Sequence, residues 1–274
     1  MSTIEVLVAT MNQTDMRKYH EMNIRTDALF ANQAAEHKYQ EEMIGQHRVR
    51  MITTISKGVG KNRNIALQFA SAEICLLGDD DMHYTDDYPE ILAQAFNELP
   101  NADVIIFNID TEGKTVKRRK NSKIKPVKIF NFQNYGTARI AFRRESIIRA
   151  NIWFSLLFGG GSRYSSGEDS LFLRDALRKK IKIFTYPATI GTVDQTTSTW
   201  FVGYNEKYFF DKGAVLQAMF PILKNALAKF YFPLRLKTMT NLSAKEMRSC
   251  IAAGIKAYTQ GINYEEWKAS IQKK

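Results

Sequence analysis

The sequence predicts an α/β fold in which a mostly parallel, Rossmann-like sheet is flanked by helices. Three observations carry this reading. Short apolar runs at residues 4–9, 27–31, 49–54, 74–77 and 103–107 have the composition of buried strands. Helix-like stretches lie between several of them, at residues 65–70 and around Ile91, Leu92, Ala95, Phe96 and Leu99. Polar turns follow the strand ends, where open α/β sheets bind their ligands.

The chain has 274 residues, and its 45% hydrophobic content suits a globular protein. That length accommodates one large α/β domain with a helical appendage. Its 39 Lys and Arg against 28 Asp and Glu give a formal charge of +11, which favours an anionic partner. The two cysteines, Cys75 and Cys250, make neither a disulfide framework nor a zinc spacing. A reducing, cytoplasmic compartment is expected. The N-terminus enters a strand without the features of a signal peptide. No apolar run reaches the roughly 18 residues of a spanning helix.

The first strand ends in the polar turn Thr10-Met11-Asn12-Gln13-Thr14-Asp15, which can cap a helix and receive a nucleotide. Residues 56–64 carry Gly58 and Gly60 among Lys57, Lys61 and Arg63, ahead of the helical pattern that begins at Ile65. Glycines before a helix N-terminus, with basic side chains, make a phosphate cradle, although the spacing is not that of a Walker A loop. The fourth strand delivers Asp79-Asp80-Asp81. Adjacent ionised carboxylates repel one another, so such a run reads as a divalent metal site or as an acidic turn before the helix near Pro89. Oxygen-only ligands select Mg²⁺ or Mn²⁺.

Residues 113–128 are basic, with Lys117, Arg118, Arg119, Lys120, Lys123 and Lys125, and read first as a solvated loop. A strand is expected at residues 137–142 and a short helix at 144–151. A glycine-rich, flexible segment then runs from Phe158 to Glu168 and Asp169, which open a helix to residue 179. Two carboxylates there also favour the helix dipole. After residue 184 the alternation fades. Residues 204–236 interleave Phe209, Phe210, Leu216, Met219, Phe230, Tyr231 and Phe232 with lysines, a pattern for a membrane interface or for packing, with Pro221 and Pro233 breaking any long helix. Residues 243–274 read as a closing helix pair. The expected domains are residues 1–200 and a helical, basic-aromatic extension at 201–274.

The order of these motifs resembles the inverting glycosyltransferases of family 2, which have the GT-A fold. The resemblance rests on Thr10-Met11-Asn12 after the first strand, Arg63-Asn64 closing the glycine-containing stretch, the DxD motif at Asp79-Asp80-Asp81, and Gly160-Gly161 followed by Glu168-Asp169. It covers roughly residues 4–200. Where the family often has an acidic pair after the second strand, this chain has Asn32-Gln33. No histidine follows Asp169 as a further metal ligand, so Asp194, Thr197 or Ser198 would line the site instead. His20, His37, His47 and His83 read as surface or structural residues, with His83 the one to test because it follows the metal motif.

The resemblance implies transfer of a sugar from a nucleoside diphosphate, expected to be UDP, to an acceptor hydroxyl. Asp81 would hold Mn²⁺ or Mg²⁺ with Asp79, while Thr10, Asn12, Arg63, Asp79 and Asp80 would bind the donor. Lys57 and Lys61 lie within reach of its diphosphate, and Asp169 is the expected base, with Glu168 orienting the acceptor. The acceptor would be a glycan or lipid-linked saccharide of capsule or exopolysaccharide synthesis. An anionic membrane surface on the cytoplasmic side is a further expected partner, and nucleic acid is not. A sugar nucleotidyltransferase is the alternative enzyme. A non-catalytic basic protein that binds membrane or nucleic acid is the alternative without chemistry, and it leaves both acidic motifs unexplained.

Overall fold

A computed structural model describes residues 2–112, 120–194, 203–228, 236 and 239–272 of the chain. They divide into two compact units, Met1–Phe154 with Phe172–Ser198, and Ser155–Leu171 with Thr199–Lys274. Residues 155–171, placed by sequence within the first domain, therefore group with the C-terminal residues.

The first unit is organised on a ten-stranded sheet. Its first strands are β1 (Ile4–Met11), β2 (Asp27–Gln33), β3 (Lys38–Ile44), β4 (His47–Thr54) and β5 (Ile74–Asp79). β1 pairs in parallel with β2 and β5, and β2 pairs in parallel with β4. Val6, Leu7, Phe30, Leu76 and Leu77 are buried, as expected of strands covered on both faces. β3 was not anticipated. Its sequence, Lys-Tyr-Gln-Glu-Glu-Met-Ile, is mostly exposed, and a hairpin through Gly45 at φ +63° returns it antiparallel onto β4.

The rest of the sheet comprises β6 (Met82–Tyr84), β7 (Val104–Glu112), β8 (Lys125–Pro126), β9 (Ile140–Arg143) and β10 (Ile183–Asp194). β9 lies antiparallel between β5 and β7, while β6 and β8 pair antiparallel with β10. The sheet is mixed, with β1, β2, β4 and β5 forming its parallel part and β7 and β10 a further parallel pair. The antiparallel additions β6, β8 and β9 are short, and apolar periodicity identifies a strand without giving its direction. The strand expected at residues 137–142 starts later, because Thr137–Arg139 is a 3-10 turn.

The helices are α1 (Lys18–Glu21), α2 (Val59–Phe69), α3 (Tyr88–Glu98), α4 (Arg144–Arg149) and α5 (Glu168–Arg178). α2 begins well before the expected residue 65. Gly58, at φ +107°, makes the break, and Gly60, Lys61, Arg63 and Asn64 are already helical.

The second unit contains α6 (Glu206–Met219), α7 (Lys224–Ala226), α8 (Ala244–Gln260) and α9 (Tyr264–Gln272). Asn205 caps α6, and Ser243 with Glu246 forms a capping box on α8. α6 and α8 meet so closely that a Cβ at Gly213 or Gly254 would strike the facing backbone. Phe209 and Leu216 join Met247, Cys250 and Ile251 in this unit's core. Much of the apolar face expected at a membrane interface is thus buried internally. No described helix is long and apolar enough to cross a membrane. Residues 229–235, with Phe230, Tyr231 and Phe232, lie outside the described residues.

Candidate active site

Strand register assembles the first part of the site. Ala9 pairs with Asp79 across β1 and β5, and Thr10 pairs with Asn32 across β1 and β2. Thr10, Asn12, Asn32 and Asp79 therefore share the carboxyl edge of the sheet, where a ligand can reach the strand ends. Asn12 holds φ +57°, a left-handed conformation that Asn tolerates in a turn.

The three aspartates have different surroundings. Arg63 Nη2 donates to Asp79 Oδ1 at 2.6 Å, from a guanidinium buried against the ring of Phe154. Thr10 Oγ1 donates to Asp80 Oδ2 at 2.5 Å. Asp81 is partly exposed, and its carbonyl accepts from the Asp194 N–H at 3.0 Å. That bond brings Asp194 to the acidic turn, whereas Thr197 and Ser198 lie outside the described residues. Lys57 and Lys61 are exposed. His83 Nδ1 is tied to the Glu21 carbonyl at 3.0 Å, which gives the ring a local structural role.

Buried amides brace this edge, and sequence reasoning missed them. Asn62 Nδ2 donates to the Thr10 and Ala31 carbonyls at 3.0 and 2.6 Å. Asn32 accepts from Gln13 N and donates to Gln13 O and Thr53 Oγ1. Gln33 Oε1 accepts from Gly58 N at 3.0 Å, holding the start of α2. Where the family often has an acidic pair, this chain uses two amides to fix its backbone. Their sequence signal was weak, since a lone Asn reads as a turn residue.

The second acidic pair belongs to the C-terminal unit. Glu168 and Asp169 open α5, preceded by Gly167 at φ +112°, where a Cβ would lie 2.7 Å from Val215. Asp169 Oδ1 accepts from Ser170 N at 2.6 Å. The approach to the pair is folded, contrary to the flexible segment expected. Phe158 and Tyr164 are buried, Gly159 N donates to Tyr164 O, and Tyr164 Oη donates to the Ile262 carbonyl at 3.0 Å. Aromatic packing supplies what the glycine run alone did not suggest.

α6 contributes the charges around this pair. Asp211, 1% exposed, accepts from Ser165 N at 3.0 Å, from Ser165 Oγ at 2.5 Å and from Lys207 Nζ at 2.8 Å. Lys212 Nζ donates to Ser166 Oγ at 3.3 Å. Burial lowers the Lys212 pKa, while Asp169, Glu168 and Asp211 pull it upward.

Among the described residues, no group of three His, Cys, Asp or Glu side chains converges as a ready metal cage. Asp79 and Asp80 already accept from Arg63 and Thr10. Asp81 and Asp79 are the residues that would hold the Mg²⁺ or Mn²⁺ expected from the sequence.

The mixed α/β sheet flanked by helices is a GT-A-like fold. Residues 32–157 match the model of Glycosyl transferase family 2. The crystal structure of S. aureus TarS 1-349 is similar with a TM-score of 0.60 and 14% identity, over 96% of this chain and 93% of that one. Its complex with UDP gives 0.58 and 14%, over 94% and 72%. Its complex with UDP-GlcNAc gives 0.57 and 15%, over 96% and 93%. At these identities the likeness is one of fold. No curated protein matches the chain in sequence.

Proposed function

We propose that the protein is an inverting transferase that moves a sugar from a UDP-linked donor to a hydroxyl of a glycan or lipid-linked acceptor. The observation that carries this reading is the register that gathers Thr10, Asn12 and Asp79 at one carboxyl edge, next to Asp80 and Asp81. TarS, of the same fold, has been crystallised with UDP and with UDP-GlcNAc.

In this reading Thr10, Asn12, Asp80 and the Arg63–Asp79 pair orient the nucleoside diphosphate. Bound Mg²⁺ or Mn²⁺ at Asp81 and Asp79 would supply charge neutralisation for the leaving diphosphate. Inversion needs a single in-line displacement, so a base must take the proton of the acceptor hydroxyl. Asp169 is assigned that proton, and Glu168 orients the acceptor. Asp211 and Lys212 keep the turn before the pair in place. The region after residue 200 serves the acceptor side. Exposed Ile222 and Leu223 beside Lys224 suit contact with an anionic membrane on the cytoplasmic face, in surface-polysaccharide assembly such as capsule or exopolysaccharide synthesis.

The test is UDP release from a panel of nucleotide sugars with Mn²⁺, Mg²⁺ or EDTA, using the unaltered protein, Asp81→Ala and Asp169→Asn. Metal-dependent turnover of one donor is expected, lost in Asp81→Ala. Transfer to acceptor should fall by about 10²–10⁴ in Asp169→Asn. If no donor turns over and none raises the melting temperature, the proposal fails.

A further inference from the structure

The basic stretch that reads as a solvated loop is partly built into the first unit. Lys117, Arg118 and Arg119 lie outside the described residues, but residues 120–135 border a cavity of about 150 Å³. Lys120, Lys123, Lys125, Asn134, Tyr135 and Thr185 are among its lining residues, and among the described residues no carboxylate lines it.

Buried polar groups hold its walls. Asn108, 2% exposed, accepts from Asn121 N at 2.7 Å and donates to Asn121 O at 3.0 Å. Thr185 Oγ1 donates to Lys123 O at 3.0 Å and accepts from Lys125 N at 3.2 Å. Arg139, also buried, donates to Asn134 O at 2.7 Å and lies over the Tyr135 ring. Each lysine-bearing or amide-bearing segment is therefore fastened to a side chain rooted in or beside the sheet. A solvated loop needs no such anchoring.

The charge within this frame is unbalanced. Lys120 Nζ pairs with Asp110 Oδ1 at 2.6 Å. Lys123 and Lys125 have no carboxylate within ion-pairing distance among the described residues. Lys123 and Lys125, with the Ser122 hydroxyl and the Asn131 amide also among the lining residues, are the groups that would recognise a compact oxyanion. The nucleotide diphosphate is not its natural occupant. Thr185 precedes Asp194 by nine residues on β10, roughly 25–30 Å of extended chain, and Asp194 is the residue bonded to Asp81.

We propose that this cavity is an anion subsite for a phosphate-class group, borne by an acceptor chain or free in solution. Its assignment to the acceptor rests on the glycosyl-transfer reading, and its affinity for phosphate does not. An acceptor using both places would be a chain of several sugar units, given the separation along β10. A concave pocket with fixed walls favours a discrete group over a flat membrane surface.

Calorimetry of the full chain with inorganic phosphate tests the subsite, with the Lys123→Glu/Lys125→Glu variant as comparison. Saturable binding that weakens about tenfold or more in the variant is expected. UDP affinity and melting temperature report whether the donor side and fold remain intact. A phosphorylated oligosaccharide that binds more tightly than phosphate, and loses this advantage after phosphatase treatment, identifies an acceptor-borne group. Equal affinity identifies free phosphate. No phosphate binding, or equal binding by variant and parent, overturns the proposal. So does lysine-dependent binding to phosphatidylglycerol vesicles that phosphate does not displace. Lysine-dependent phosphate binding without turnover of any nucleotide sugar retains the subsite and removes the transferase reading.

Discussion

Arg63 Nη2 donates to Asp79 Oδ1 at 2.6 Å, joining the first turns of α2 to the last residue of β5. The guanidinium is buried and also lies 5.5 Å from the Phe154 ring centre, so it combines charge, hydrogen bonding and packing. The next residue, Asn64, makes reciprocal bonds with the Phe154 backbone at 2.9 and 2.8 Å. Arg63→Met is expected to cost about 1–3 kcal/mol. Arg63→Lys should recover only part, because an ammonium cannot reproduce the planar fork over the ring. Urea unfolding of the three proteins measures both effects. Full recovery by Lys would show that point charge alone matters.

Gly78 and Tyr84 make a second contact behind the aspartates. A Cβ at position 78 would lie 2.5 Å from Tyr84 Oη. That hydroxyl is buried and has no hydrogen-bond partner among the described residues. Gly78→Ala should destabilise by about 1–3 kcal/mol through overpacking. Tyr84→Phe should be neutral or slightly stabilising, and it should rescue Gly78→Ala by removing the atom that is struck. Additive penalties in the double variant would contradict this arrangement.

Much of this was legible because particular residues carry local signals. Ile74 to Leu77 declare a buried strand, so the position of Asp79 followed from sequence alone. Gly58 announced a break, but only its φ of +107° shows that α2 starts immediately afterwards. β3 was hidden by its polarity, since an exposed edge strand has no apolar face to display. The amides of Asn32 and Asn62 could not be assigned, because their partners come from strands brought together by the fold. Asp211 was equally silent, as its partner Ser165 lies 46 residues away. The apolar run after residue 204 gave the composition of an interface without showing whether lipid or another helix covers it, and α8 covers Phe209 and Leu216.

Alkaline pH should erode stability through buried acids. Burial raises the Cys75 thiol above its ordinary 9.0 and the Tyr88 phenol above 10.0. Tyr84 is raised by burial first, then by Tyr88, Asp79 and Asp81. Tyr19 is pushed up to about 12, by burial and then by Asp27. With folded values above unfolded ones, the unfolded chain releases protons first as pH rises. The stabilisation is complete below the unfolded values and is lost from about pH 9–10 upward, with the Tyr19 part ending near 12. Urea midpoints measured at several values above pH 8 should fall progressively, and Tyr84→Phe should reduce the slope. A flat profile through pH 11 would contradict the burial of these groups.

Asp211 offers the clearest test of how the acidic pair is held. Its carboxylate accepts from Ser165 N, Ser165 Oγ and Lys207 Nζ, and Ser165 stands four residues before Asp169. Asp211→Asn keeps one acceptor oxygen but loses the charge that strengthens all three bonds, at a cost of about 1–3 kcal/mol. If Asp169 is the base, a loosened approach should lower kcat for transfer while leaving the donor KM close to its original value. Ser165→Ala removes the hydroxyl bond alone and should produce a smaller loss in the same direction. Steady-state transfer kinetics, with melting temperatures for each variant, separate the possibilities. Reduced stability with unchanged kcat would make Asp211 a structural residue only, whereas a fall in kcat graded from Ser165→Ala to Asp211→Asn would establish that it positions the pair.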